Sequence, residues 1–408
     1  MSRVSLGDYM TRVVVLGAGV VAPAIVYDLA DDDVSPFVDD ILVADINEEK
    51  AKAVVEGARK FTRRKKLEHA KVDVRNVEET AELLKGADIV VNGIIYYYIP
   101  QVMEAALKAG VHYTDLGSEV PILKKQFEFN DRYKEAGLLA IPGLGGCPGM
   151  INVAARYAIE RLDEVERLFL REGWVDFNDY ESLRIPLPVP YSLDCILDEY
   201  MHPVEIWEDG KIKLIQPVRE EDREVMYFPP PVGVQELYYI EHPEVWTLGE
   251  TFKSKGLRYV DYKLSYPRDL YMKYKLITDL GLSRDDPIKV KGIEIVPRDL
   301  LRELVNMTFK GKDIPPNDYD IMRVIAEGKK DGERKRITVD MHTEWSRKWN
   351  LSAQAVTVGT PTSIAVQMIA TGKIKERGVK NPEEVIEPLP FFKELKKRGI
   401  RIYVEEEL

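Results

Sequence analysis

The sequence predicts an α/β protein: a doubly wound parallel sheet interrupted by an inserted α+β domain with an open, mixed, largely antiparallel sheet. Three observations predict it. The first 160 residues alternate short apolar runs with helical periods, the pattern of a parallel sheet buried on both faces. From about residue 163 the strands lengthen, mix with helices and carry clustered prolines in IPLPVPY and YFPPPVG. The last sixty residues return to helix and βα style. The expected division is residues 1–150 with 350–408 in the first domain and 151–349 in the second.

In chain order, the strands expected in the first domain are Val13–Leu16, Ile41–Ala44, Ala70–Val74, Ile89–Ile95, Val111–Thr114 and Leu138–Ile141. Helical periods separate them at Glu48–Arg59, Val77–Leu84, Pro100–Lys108 and Ile122–Glu135. In the second domain VERLFLREGWV, IKLIQPV, LRYVDYKLSY and KRITVDMHTEW read as strands. PTSIAVQMIATGKI reads as a helix with Pro361 in its first turn, and PFFKELKKRGIRIYVEE as helix, glycine stop and strand, packing back on the first domain.

The first element pair carries the strongest chemical signal. RVVVLGAGVVAPAIVYDLA (Arg12–Ala30) reads as strand, glycine turn and helix, and the next strand ends in Asp45. Gly17 allows the tight turn, Gly19 lets a pyrophosphate approach the backbone, and Ala22 lets the helix pack on the sheet. Val20 and Val21 open that helix, whose free N–H groups suit phosphate. Asp45 suits the ribose hydroxyls of an adenosine and repels a 2′-phosphate, which favours NAD over NADP, with NADP possible. Asp73, Gly93 and Ile94, at the ends of the third and fourth strands, complete the expected cofactor set of this Rossmann pattern. Arg63, Arg64, Lys65 and Lys66 could reach a phosphate, but a solvated helix end is the expectation for them.

Ligands of such sheets bind past the carboxyl ends of the strands, so chemistry is sought there. Tyr97, in YYYIP, offers a flat apolar face with a polar tip. Thr114 and Asp115 end the next strand, and Asp115 is the candidate for holding a substrate amine or exchanging a proton. PGLGGCPGMIN places Cys147 and Asn152 at a glycine-rich loop opening a helix, where both would shape a pocket. Among five histidines none has metal-ligand spacing; His242, in ELYYIEHPEVWTL, is the second proton-transfer candidate.

Composition narrows the partners. A net charge of −11 argues against nucleic acid or an anionic membrane. Two cysteines are too few for a disulfide framework and point to a reducing cytoplasm. MSRVSLGDYMT has no apolar core, so no signal peptide is expected, and no run of 18 apolar residues predicts a membrane span. Abundant Glu, Lys and Arg with scarce Gln resemble the composition of thermophile proteins. An open sheet needs its face or edge covered, so a homodimer is expected.

Taken together, VLGAGVVAPAIVYDLA, VVNGIIYYYIPQVMEAALKAGVHYTDLGSE, AGLLAIPGLGGCPGMINVAARYA, PYSLDCILDEYMHPVEIWEDGKI and VGTPTSIAVQMIATGKIKERGV resemble the saccharopine dehydrogenase-like family. That family includes saccharopine reductase, lysine 6-dehydrogenase and carboxynorspermidine dehydrogenase. The resemblance implies a Rossmann domain completed by the C-terminal tail, an inserted domain for substrate and dimerisation, and an amino-acid-derived amine as substrate, whose carboxylate an arginine of the second domain, Arg184 or Arg258, would have to hold. Saccharopine reductases carry an Asp where this chain has Cys147, and an Arg in the segment matching ELYYIEHPE, which has none. The expectation is therefore an NAD-dependent oxidoreductase acting on a C–N bond, first a lysine-type amine dehydrogenase. The alternatives are a saccharopine- or carboxynorspermidine-type reductive condensation and a non-catalytic NAD-binding sensor.

Overall fold

The structure is a computed structural model and describes residues 11–407. The chain divides into two compact units, one running to Val153 and resuming over Thr357–Arg398, the other comprising Ala154–Val356 and the chain from Gly399.

In the first unit, β1 (Arg12–Leu16), β2 (Asp40–Asp45), β3 (Lys66–Lys71), β4 (Ile89–Asn92), β5 (His112–Asp115) and β6 (Leu139–Ile141) form a parallel sheet with β17 (Gly378–Val379). Its order, β17-β6-β5-β4-β1-β2-β3, reverses direction at β1, the topological switch point of a dinucleotide-binding sheet. The strands run apolar without alternation because both faces are covered: Val13, Val14, Val15 and Leu16 are all 0% exposed. The helices are α1 (Ala22–Ala30), α2 (Glu48–Ala58), α3 (Val77–Leu84), α4 (Ile99–Ala109), α5 (Val120–Phe127) and α6 (Asn130–Glu135). The helix α7 (Met150–Ile159) begins in this unit and ends in the second, α12 (Ala353–Ala370) begins in the second and ends in this one, and α13 (Pro382–Val385) and α14 (Pro388–Lys397) follow. Asn76 caps α3 by accepting from the Glu79 N–H, and Gly110 ends α4 in the left-handed conformation.

Four local expectations are corrected. The third strand is Lys66–Lys71 rather than Ala70–Val74, because parallel pairing with Asp40–Asp45 sets its register. The basic run beside it is a solvated helix end except at Lys65: Arg63, Arg64 and Lys66 are exposed, Arg64 pairing with Asp39, but the buried Lys65 ammonium donates to the Leu29 and Ser35 carbonyls at 2.7 and 2.5 Å. The helix expected over Ile122–Glu135 is two helices, α5 and α6. Pro361 lies inside α12 rather than in its first turn, since the helix already starts at Ala353.

In the second unit a mixed sheet of nine strands is built on β7 (Glu164–Asp176), β15 (Asp318–Lys330) and β16 (Glu333–Glu344). β10 (Glu224–Phe228), β11 (Gly233–Tyr239) and β12 (Tyr259–Ser265) continue it on the other side of β7, with β8 (Val204–Glu208) and β9 (Lys211–Ile215) attached through β12. All pairs are antiparallel except β12 with β7. Strand β18 (Arg401–Glu407) pairs antiparallel with β16 through seven residues. The expectation that the whole tail returns to the first domain is therefore corrected for this strand: β16 offers a free edge, and the strand satisfies its backbone there although its side chains are mostly exposed. Helices α8 (Leu193–Glu199), α9 (Glu244–Phe252), α10 (Arg268–Asp279) and α11 (Pro297–Phe309) complete the unit, with a short hairpin of β13 (Ile288–Val290) and β14 (Ile293–Ile295). Among the described residues no helix is long and apolar enough to cross a membrane.

Candidate functional site

In the first unit the turn after β1 is the cradle the sequence implies. Gly17 has φ +95°, and a Cβ there would stand 2.7 Å from the Gly93 carbonyl oxygen, so only glycine lets the loops after β1 and β4 approach. The Gly93 N–H donates to the Leu16 carbonyl at 2.7 Å, and the Ile94 N–H to Asn92 Oδ1 at 3.2 Å. At Gly19 a Cβ would meet no protein atom within 4 Å, so that surface is open to a ligand. Among the described residues the N–H groups of Gly19, Val20 and Val21 have no protein acceptor, and α1 has no side-chain N-cap. Three unsatisfied donors at a helix start, under a bare glycine, fit a pyrophosphate. Ala22 is buried against the sheet. Asp45 accepts from the Ala18 N–H (2.7 Å) and the Asn47 N–H (2.8 Å), which holds its carboxylate at the mouth of this turn. Asp73, past β3, is clamped by Arg75 in a two-pronged ion pair that lowers its pKa to about 2. Its charge is thus balanced by protein.

The loops after β5 and β6 are less reactive than expected. Asp115 is 1% exposed and already has four donors. Its Oδ1 accepts from the Gly117 and Gly143 N–H groups at 2.9 and 2.8 Å; its Oδ2 accepts from Tyr113 and Gln126 at 2.8 and 2.7 Å. Burial raises its pKa, and those hydrogen bonds oppose the rise. A carboxylate so saturated ties the two loops together, which corrects its expected part in proton exchange. Thr114 is likewise buried and donates to the Ile141 carbonyl at 2.9 Å, so it links β5 to β6 and does not face a substrate. Asn152 is 1% exposed, accepts from the Gly149 N–H and donates to Glu383, both at 2.9 Å; it fastens the loop rather than lining a pocket. Cys147 is half-buried on that loop, and Tyr97 is 47% exposed with its ring 4.5 Å from that of Tyr96. Tyr96 in turn donates to Glu119 at 2.8 Å.

In the second unit the structure gathers an acid–base cluster from segments far apart in the chain. His242 follows β11, is stacked on Tyr262 of β12 at 4.0 Å between ring centroids, and places Nδ1 3.1 Å from both oxygens of the buried Glu244. Burial lowers its pKa, but the charges of Glu244, Glu199 and Glu241 outweigh that and raise it to about 9. Tyr262 donates to Glu172 of β7 at 2.5 Å, and Gln354 donates to the other Glu172 oxygen at 3.1 Å. Glu199, at the end of α8, accepts from Tyr191 at 2.5 Å and Tyr266 at 3.3 Å. Desolvation drives its pKa to about 7, against the favourable charge of His242. The cluster thus carries several carboxylates around one imidazole, an excess of negative charge. The sequence reading singles out His242 as a candidate; it does not single out Glu172, Glu199, Tyr191, Tyr262 or Tyr266, which the structure places around it. The one available signal was a charged residue inside the apolar run VERLFLREGWV. Of the two expected carboxylate-binding arginines, Arg184 lies in the turn beyond β7 and Arg258 just before β12.

Comparison with known proteins agrees with both halves. A family model described as the saccharopine dehydrogenase NADP binding domain matches residues 13–141, and the saccharopine dehydrogenase C-terminal domain matches residues 145–400. The chain is 25% identical to carboxyaminopropylagmatine dehydrogenase of Synechocystis sp. over 403 residues, covering 96% of each chain. It is 24% identical to carboxynorspermidine synthase of Vibrio alginolyticus, again over 96% of each. Its fold is similar to that of saccharopine dehydrogenase (L-Glu forming) from Saccharomyces cerevisiae, with TM-score 0.73 and 20% identity over 98% of this chain and 100% of that one.

Proposed function

Since the chain belongs to the saccharopine dehydrogenase family, as an NAD(P)-binding oxidoreductase, we propose that it forms or oxidises the C–N bond of a carboxylated, polyamine-type secondary amine. In the reductive direction a primary amine and an aldehyde bearing an amino-acid end condense with loss of water. The resulting imine carbon receives a hydride and its nitrogen a proton. A reduced nicotinamide cofactor held at the Gly17–Val21 turn would supply that hydride. The chain's residues handle the charge and the proton. The carboxylates of Glu172, Glu199 and Glu244 favour a cationic amine and a developing iminium. Glu199, with a pKa raised to about 7, and His242, raised to about 9, bracket the range in which a proton can be exchanged near neutrality. Asp115 is a positioning residue, holding the loops after β5 and β6.

The observation that carries this reading is the excess of carboxylate around His242 and Glu199. The two relatives named for carboxylated polyamine derivatives support it, and they move the preference from a lysine-type amine dehydrogenase to the condensation alternative. We read the cofactor as NAD in preference to NADP from Asp45. The test is NADH and NADPH oxidation with paired amines (agmatine, 1,3-diaminopropane, lysine) and amino-acid aldehydes or keto acids. Turnover requiring both partners is the expected result. Oxidation of lysine alone with NAD would establish the simple dehydrogenase, and tight cofactor binding without turnover on any pair would favour the sensor.

We also propose a homodimer formed through α10, α11 and the β13–β14 hairpin. Met272, Leu276 and Leu280 form one exposed stripe, Leu300, Leu304 and Met307 a second, and the hairpin adds Ile288, Val290 and Ile293. Their exposed area is roughly 800–900 Å², the size of one side of a standard interface. Residues 268–309 carry eight basic and seven acidic side chains, so two copies of this chain, each at −11, meet on its near-neutral face.

A further inference from the structure

The turn beyond β7 borders a cleft of about 610 Å³ whose walls come wholly from the second unit. Asp176, Asp179, Glu181 and Asp269 line it with Arg184 and Lys273. Lys273 is paired with Asp269 at 3.4 Å, and Asp176 is held by Asn178 and by Tyr180 at 2.8 and 2.5 Å. The Arg184 guanidinium has no hydrogen-bond or ion-pair partner among the described residues. Its backbone is in the left-handed region, φ 54°, closing the turn in which the Arg184 N–H donates to the Glu181 carbonyl and the Ile185 N–H to the Tyr180 carbonyl. Such a turn-closing position favours glycine. An arginine there strains the backbone, and among the described residues no hydrogen bond or ion pair of its side chain offsets that strain.

We propose that this cleft binds the amino-acid end of the substrate, with the Arg184 guanidinium taking its carboxylate and the surrounding acids taking its ammonium groups. The inference rests on the carboxylated-polyamine reading and deepens it. A wall of four carboxylates and two cations matches a ligand with several ammonium groups and one carboxylate. Arg258 does not compete: it precedes the first residue of β12, whereas the cleft lies at the carboxyl-terminal ends of β7 and β12, from Trp174 and Asp176 to Pro267.

The probes are L-2,4-diaminobutyrate and 1,3-diaminopropane, which differ by one carboxylate, titrated calorimetrically into the full-length protein. The native protein is expected to bind the carboxylated ligand at least tenfold more tightly. Arg184→Gly is expected to abolish that difference while changing diaminopropane affinity less than twofold. Its Tm should be unchanged or higher, because glycine relieves the left-handed strain; Arg184→Lys should restore part of the discrimination. Discrimination that survives in Arg184→Gly, or no discrimination in the native protein, overturns the proposal. These readings need no turnover. Loss of discrimination with no reaction on any amine–carbonyl pair would therefore fault the functional reading alone, and turnover with discrimination intact would fault the cleft alone.

Discussion

At the scale of single residues, the same functional group takes opposite tasks according to its donors. Asp115 and Glu199 are both enclosed carboxylates, but Asp115 has four hydrogen-bond donors and Glu199 two tyrosines. Glu199 holds its proton up to a pH of about 7 in the folded state, against 4.5 as a free group. Between those values the folded state binds the extra proton, so stability falls as pH rises through that window and the full cost is present above it. Glu199→Gln should therefore raise the Tm at pH 8, corresponding to about 1–2 kcal/mol, and leave it unchanged near pH 4.5. It should also lower turnover at least tenfold. A thermal scan at the two pH values beside an activity assay checks both. At the cofactor cradle, Asp45→Ala removes the acceptor for the Ala18 and Asn47 N–H groups and for a ribose. NADH affinity should drop about tenfold, a loss on the order of 1.4 kcal/mol, and the preference over NADPH should narrow. Tighter NADPH binding by the unmodified protein would overturn the role given to Asp45.

At the scale of elements, strand β18 shows how edge chemistry recruits a segment. Its residues are mostly exposed, yet its backbone closes the edge of β16 from Arg336 to His342. Removing residues 401–407 should expose that edge, lower the Tm by several degrees and promote aggregation; light scattering on heating reads the second effect. Elsewhere an element's start is decided by a distant side chain. The Asp318 carboxylate accepts from the Ala353 and Gln354 N–H groups at 2.7 and 3.3 Å and so caps α12 well before Pro361. Ser352 adds a local cap, its Oγ accepting from the Ala355 N–H at 3.2 Å, but the sequence reading placed the start at Pro361 because proline is favoured in a first turn.

At the scale of the whole molecule, a chain of net charge −11 opposes self-association except where charge is balanced and apolar surface is concentrated. Leu276→Asp combined with Leu304→Asp should convert the dimer to a monomer with little change in Tm, because both side chains are more than half exposed. Sedimentation of the native and variant proteins at micromolar concentration measures it. A native monomer would remove the dimer altogether. Monomer formation by Val225→Asp on the sheet edge, with the helical variant still dimeric, would move the interface to the open sheet.

What the sequence determined by itself is what short-range physics dictates. Continuous apolar strands joined by helices specify a parallel sheet. The spacing Gly17, Gly19, Ala22 and the acid at Asp45 specify a dinucleotide turn, because turn, close approach and helix packing are properties of adjacent residues. His242 was also legible, as a titratable side chain in an acidic loop. Only the tertiary structure decided which titratable groups lie together. Glu172, Tyr262, Glu199, Tyr191 and His242 come from separate strands, loops and a helix, and their pKa values arise from mutual burial and charge. For the same reason Asp115, Thr114 and Asn152 proved to be ties within the fold: whether a polar side chain faces a ligand or a neighbouring backbone depends on partners distant in the chain.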